Sequence, residues 1–309
     1  MSGLDAVGLR ELLGGVLVVG GLGYAAWRDW RTREVTDRLW QLLAVAGTIL
    51  GLVALAPYGW LPLGLWVLVS ALVLEHLFPW DDWVERGSEA LPGWLEIAAY
   101  LGVLFVLLYS AWSFGIGDSG VPVAVLAVYV GVVLGRGLFE LGVLYGGADA
   151  KAVIVVALLL PLDPHPLLPA PVAATLGLSV YPFALTLVMD AALLGAAIPL
   201  GLALRNLLRG EFAFPQGFTG YLMPVAELPH RFVWLRDPTF RSALTEEELE
   251  VETAADDQAL RVRQAAELVA QGVEQVWVTP QIPFVILLAL GAAAAVLWGN
   301  LIFDLAALL

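Results

Sequence analysis

The sequence predicts an all-α polytopic membrane protein, with about eight transmembrane helices and a mostly helical cytoplasmic insert. Three observations carry that reading. Of 309 residues, 60% are hydrophobic and only 14% charged, whereas a soluble domain carries about a quarter charged residues. The mean hydropathy is +0.83. Several apolar runs approach the ~20 residues that cross a ~30 Å hydrocarbon core. Together these exclude an ordinary cytosolic enzyme.

Apolar runs at 9–27, 39–56, 60–78, 95–113, 121–145, 150–162, 176–204 and 282–303 are the eight expected spans. The first lacks a basic leader and a small-residue cleavage site, so it reads as a retained span rather than a signal peptide. The sixth is short and follows Gly146–Gly147. Residues 1–204 then form a helical membrane bundle, 205–281 an acidic cytoplasmic insert, and 282–309 a C-terminal span. Within the insert, Thr245 and Glu248 read as a capping box ahead of an Ala/Glu/Leu-rich helix that ends at Gly272. Its acids read as a solvated face. No internal repeat is visible, which weighs against an inverted-repeat transporter.

The basic residues orient the bundle. With the N-terminus outside, the stretches 28–38, 79–94, 146–151 and 205–281 face the cytoplasm and hold 13 of the 15 basic residues. Asp+Glu number 29, net charge is −14, and all the basic residues except Lys151 are Arg. Such an acidic, Lys-poor chain fits a cytoplasm at high salt, as in halophilic archaea, where screening makes surface acid tolerable. A GC-rich genome is the plainer source of the arginines. Cysteine is absent, which excludes disulfides, thiolate nucleophiles and zinc–thiolate sites. His76, His165 and His230 are scattered and read as structural or surface residues, so no metal site is expected.

Two constellations bear chemistry, both on the predicted cytoplasmic face. Trp27 to Asp37 (Trp-Arg-Asp-Trp-Arg-Thr-Arg-Glu-Val-Thr-Asp) follows the first run, and Tyr145-Gly-Gly-Ala-Asp-Ala-Lys151 precedes the sixth. A carboxylate beside hydrocarbon is costly and points to a function or a partner. Two of them at one depth, Asp29 and Asp149, can share a proton. One then activates a water while the other, kept neutral, donates to a carbonyl. Gly146 and Gly147 permit a helix break and leave room beside the acid. Lys151 is read either as favouring the ionised pair or as anchoring the helix start at the headgroups. The plainer alternatives are an interfacial ion pair of Asp29 with Arg31 or Arg33, and an N-cap role for Asp149.

The ordered motifs resemble the type IV prepilin and preflagellin (archaellin) peptidases, a family of intramembrane aspartyl proteases with a Gly-x-Gly-Asp motif. Asp29-x-x-x-Arg33-Glu34-Val35-x-Asp37 looks like their first catalytic region, and Gly146-Gly147-Ala148-Asp149-Ala150-Lys151 like their second, with Ala148 as in archaeal members. Phe218-Thr-Gly-Tyr221 and Val278-Thr-Pro-Gln-Ile-Pro-Phe284 also look archaeal; Leu222 departs from the basic residue expected after Gly-Tyr. The resemblance implies an endopeptidase that removes the short basic leader of pilin-like or archaellin precursors at the cytoplasmic face of the cell membrane. It makes Asp29 and Asp149 the catalytic pair. It implies no cofactor, no metal and no nucleic-acid partner. The cysteine-bearing region with which bacterial relatives methylate the product is absent, so no methylation is expected. Glu34 and Asp37 are candidates to read the basic leader, with Arg33, Gly146, Gly147 and Lys151 in support.

Two decoys are set aside. Gly115-Ile-Gly-Asp118 is a literal Gly-x-Gly-Asp in a predicted outer loop, and Gly117-Asp-Ser-Gly120 mimics a serine-protease signature with no histidine placed for a triad. Asp190, inside the seventh run, reads as a bundle contact to Arg136, and Arg136 and Glu140 are spaced i,i+4 to pair. The rival readings are a proton- or cation-coupled transporter using Asp149 and Asp190, and a non-catalytic scaffold presenting the acidic insert. Neither needs Asp29.

Overall fold

The computed structural model describes residues 6–78, 93–114, 121–144, 146–163, 181–236 and 254–306. Its helices are α1 (Ala6–Thr32), α2 (Asp37–Leu55), α3 (Trp60–Glu75), α4 (Gly93–Phe114), α5 (Val121–Glu140), α6 (Gly147–Leu159), α7 (Phe183–Leu208), α8 (Ala254–Ala270), α9 (Phe284–Leu297) and α10 (Leu301–Ala306). Three strands, β1 (Tyr221–Pro224), β2 (Val233–Leu235) and β3 (Gln275–Pro280), complete it. The Gly115–Asp118 motif, Arg86, His165 and the Thr245–Glu248 capping box lie outside the described residues.

Among the described residues, every expected apolar run coincides mainly with helix, because only a helix satisfies all its backbone groups within one segment in lipid. Four of these helices are long and apolar enough to cross a membrane: Gly8–Thr32, Asp37–Tyr58, Pro122–Glu140 and Phe183–Leu208. The apolar helices Trp60–Glu75, Ile97–Ser113 and Phe284–Leu297 are shorter. The last expected span does not run unbroken from 282 to 303. Gly299, at φ 97°, ends it, and Asn300 restarts the chain as α10, its Oδ1 accepting the N–H groups of Ile302 and Phe303 at 3.1 Å each.

The chain divides into two units. The first holds Met1–Asp29, Val35–Leu193 and Phe284–Leu309. At its centre is α6, with Ala150 and every residue from Ala152 to Leu159 buried. Its 13 residues span only about 20 Å at 1.5 Å per residue, less than a bilayer core. It packs on α2, α3, α5 and α9. Close approach is needed at Gly131 of α5, where a Cβ would fall 2.2 Å from Cβ of Ala157. Gly135, one turn on, would meet Ile154 at 2.8 Å; such small-x-x-x-small pairs let membrane helices touch backbone to backbone. Large apolar side chains elsewhere face outward, Trp112 at 88% and Leu42 at 69% exposure, the distribution of a bundle solvated by lipid.

The second unit holds Trp30–Glu34 and Leu194–Pro283. Its sheet has the order β1-β3-β2, all antiparallel, with Tyr221 opposite Val278 and Val233 opposite Pro280. Met223, Val225, Val233, Val276 and Val278 from the sheet side pack with Ala265 and Leu268 of α8. The described part of the insert is therefore a helix-and-sheet unit, not the mostly helical piece expected. Val276 and Val278 are buried while Gln275 and Trp277 are not, so a period of two overrides helix formation there. The Phe218–Tyr221 motif turns the chain into β1. Asn206 Nδ2 donates to the carbonyls of Gly217 (2.9 Å) and Gly220 (2.7 Å), and a Cβ on Gly220 would strike Val278 O at 2.5 Å.

Candidate active site

Asp149 occupies the first turn of α6, ahead of the apolar stretch that begins at Ala150. Gly146 is the N-cap, with extended backbone (φ −93°, ψ 127°). The Asp149 carboxylate reaches back to accept the Gly146 N–H, as the third residue of a capping box does. It also accepts the N–H of Val285, an otherwise orphan donor in the first turn of α9. Asp149 is thus held by two helix N-termini and is 8% exposed.

Asp29 lies in the last turn of α1, half-buried, and near enough for its charge to act on Asp149. Burial first, and the Asp29 charge second, push the Asp149 carboxyl up to about 7, against the pull of the Val285 and Gly146 N–H groups. Asp149 therefore carries a proton at neutral pH far more than an ordinary carboxyl does. Asp29 and Asp149, 120 residues apart in the sequence, lie within electrostatic reach of each other.

Gly146 and Gly147 differ. A Cβ on Gly146 would fall 2.8 Å from Asp149 Oδ2. Among the described residues, Gly147 has nothing within 4 Å of that position. Lys151 pairs with Asp37, its ammonium 2.5 Å from Asp37 Oδ1. Asp37 is thereby committed to Lys151, while the Glu34 side chain is exposed and its carbonyl accepts the Thr32 hydroxyl at 3.1 Å. Arg33 has a left-handed backbone, φ 59°, and its guanidinium stacks 4.3 Å over the Phe232 ring.

The Asp37–Lys151 pair forms one wall of a polar cavity of about 270 Å³, whose other polar walls include Glu75, His76 and Arg136. His76 contacts Tyr100 Oη at 2.6 Å and Glu75 at 3.1 Å. Its place at the end of α3 gave no motif, so these partners were not legible. Arg136 keeps its i,i+4 contact with Glu140 at 3.8 Å. The expected Arg136–Asp190 contact does not form. Asp190 is fully buried and accepts the Leu301 N–H at 3.0 Å, so it anchors the start of α10 instead. The break at Gly299 creates that acceptor's partner.

Val285, which reaches Asp149 through its backbone N–H, was missed by side-chain reasoning. The one sequence signal was the Val278–Phe284 motif leading into it. No protein-family model matches this chain, and no curated protein matches it. The chemistry rests on the site's own residues: a buried carboxyl protonated near neutrality and a more exposed carboxyl in electrostatic reach.

Proposed function

We propose that this protein is a membrane-embedded aspartyl endopeptidase that removes the short basic leader of prepilin- or archaellin-type precursors at the cytoplasmic face of the cell membrane. The observation that carries the reading is the Asp149 carboxyl, buried at the head of α6 beside Asp29 and gripped by the Gly146 and Val285 N–H groups.

In this reading Asp149 begins protonated and Asp29 ionised. Asp29 takes a proton from a water, whose oxygen attacks the scissile carbonyl carbon, and Asp149 gives its proton to the carbonyl oxygen. The gem-diol intermediate collapses as Asp29 passes its newly gained proton to the amide nitrogen and the C–N bond breaks, while Asp149 takes a proton back from a gem-diol hydroxyl, which restores the starting pair. The α1 end, the α2 start, the α3 and α5 ends and the starts of α6 and α9 carry the acid pair and the polar cavity. The arginine distribution supports assigning these ends to the cytoplasmic face, with the N-terminus outside. A precursor whose apolar helix stays in lipid and whose basic leader stays in water would meet the pair at that depth.

A proton-coupled transporter is the second reading, favoured by one observation. Asp190 lies in electrostatic reach of Asp163 and Asp304, and each of the three has one buried oxygen without a hydrogen-bond partner among the described residues. Purified protein incubated with a basic-leader precursor separates the two readings. The peptidase reading predicts a shortened product that Asp29→Asn and Asp149→Asn each abolish and Asp190→Asn does not. Cleavage surviving either of the first two substitutions contradicts it.

A further inference from the structure

We propose that the membrane bundle holds one phospholipid of the kind whose phosphate is followed by a primary ammonium, with the headgroup in the polar cavity beside Arg136 and an acyl chain in the adjoining apolar groove of α4 and α5. Every residue concerned lies in the first unit, and the proposal is independent of the peptidase reading.

The polar cavity of about 270 Å³ sits near the starts of α2 and α6 and the ends of α3 and α5. Next to it is an apolar groove of about 310 Å³, lined by Ile97, Tyr100 and Leu101 of α4 and by Val133, Gly137 and Glu140 of α5. Arg136 lines both. Tyr100 ties them as well. Its Oη contacts His76 Nε2, on the cavity side, at 2.6 Å, and its ring centroid lies 5.8 Å from Arg136 Cζ. Joined at Arg136, the two spaces fall inside the ~300–1,000 Å³ of small-molecule sites. The groove faces outward, with Ile97 63% and Leu101 59% exposed. Gly137 leaves its floor bare: among the described residues nothing lies within 4 Å of its Cβ position.

Charge changes along the same path. The apolar groove ends at the Arg136 cation, and beyond it the cavity sets two carboxylates, Glu75 and Asp37, against one ammonium, Lys151. Since Lys151 is bonded to Asp37, the acid left to meet a headgroup is Glu75, half-exposed and 3.1 Å from His76 Nδ1. The order apolar, cationic, anionic is the complement of acyl chain, phosphate, ammonium. Pockets of this kind between membrane helices hold lipid headgroups. Arg136 meets Glu140 at 3.8 Å and His76 at 3.5 Å, both longer than the ~2.7–2.9 Å of a charge-assisted hydrogen bond. A phosphate can approach the guanidinium fork more closely, with two oxygens at once. A glycerol headgroup brings no positive charge to Glu75, and a choline headgroup brings no N–H.

The test is native mass spectrometry of the purified full chain released from nanodiscs of equal parts phosphatidylethanolamine, phosphatidylcholine and phosphatidylglycerol, beside thermal melts in detergent titrated with each lipid. One phosphatidylethanolamine per chain should be retained, bound at least tenfold more tightly than the other two and raising the melting temperature accordingly. Arg136→Gln should weaken that binding tenfold or more, and so should Gly137→Phe, which fills the groove. Glu75→Gln should abolish the preference over phosphatidylglycerol. Trp112→Ala, 88% exposed at the far end of α4, should change nothing. If Arg136→Gln fails to elute as folded protein, Gly137→Phe and Glu75→Gln decide. Equal retention of the three lipids, or undiminished phosphatidylethanolamine in Gly137→Phe, overturns the proposal. Displacement of the lipid by millimolar inorganic phosphate would mark a site for the ion alone and overturns it too. If Gly137→Phe weakens binding of a labelled precursor and leaves lipid retention as it was, the groove belongs to the precursor's apolar helix, and the lipid assignment falls.

Discussion

Gly146→Ala should damage activity while sparing the fold. The backbone at Gly146 (φ −93°, ψ 127°) is open to alanine, so no left-handed strain arises. Reduced unfolded-state freedom favours Ala by about 0.4–1 kcal/mol, and its poorer N-capping takes back a similar amount. Net stability should change by less than about 1 kcal/mol. The new methyl, however, would sit 2.8 Å from Asp149 Oδ2, where an unstrained contact is roughly 3.5 Å. The carboxylate must retreat by about 0.7 Å, loosening its bonds to the Gly146 and Val285 N–H groups and changing its distance from Asp29. A displacement of that size should lower kcat/KM by roughly 10- to 100-fold, or about 1.4–2.7 kcal/mol. Gly147→Ala is the control, because no described residue lies within 4 Å of its Cβ position. Precursor cleavage followed on a gel, beside a thermal melt of each variant, gives both quantities. Equal loss in the two alanine variants, or full activity in Gly146→Ala, would refute the crowding argument.

Asp149 holds its proton up to about 7, and a raised carboxyl pKa means that the acid form is present below that value and lost above it. Cleavage should therefore fall about tenfold per pH unit above 7, read from kcat/KM against pH; a flat profile from 7 to 9 contradicts the assignment of Asp149 as the donor. Lys151 and Asp37 are partly exposed, 28% and 53% by side chain, so their bond contributes about 1 kcal/mol or less. Asp37→Asn should keep most cleavage activity, and the exchange Asp37→Lys with Lys151→Asp should recover the melting temperature lost in either single charge reversal. Failure of the exchange to recover it would mean that the two side chains act apart.

How much was legible follows from what each feature is made of. Membrane helices announce themselves by apolar length, so the described part of each of the eight runs falls mainly on helix. Run length alone does not reveal where a helix stops: Trp298-Gly299-Asn300 interrupts apolar sequence with a glycine in the left-handed region and a capping Asn, and that punctuation was outweighed by Leu301-Ile302-Phe303. The sheet was missed because its strands have three to six residues and β1 and β3 pair across more than fifty positions of chain. Asp29 and Asp149 could be singled out in the sequence because ionisable residues beside hydrocarbon need a reason. Their surroundings were less so. A backbone donor such as Val285 leaves no side-chain signature, and the Lys151–Asp37 bond joins residues 114 apart, a pairing that spacing cannot reveal. Asp190 was correctly singled out as buried acid, but its partner depends on the helix break at Gly299.

The central claim is that Asp29 and Asp149 form one catalytic unit, and the most direct measurement is precursor cleavage by the single Asn variants and their double. Asn keeps the size of Asp and removes the titratable oxygen. Members of a unit are not additive in their loss, so Asp29→Asn, Asp149→Asn and the double variant should all fall to the same uncatalysed background. Residual cleavage by one single variant, or a double variant clearly worse than both singles, would contradict it.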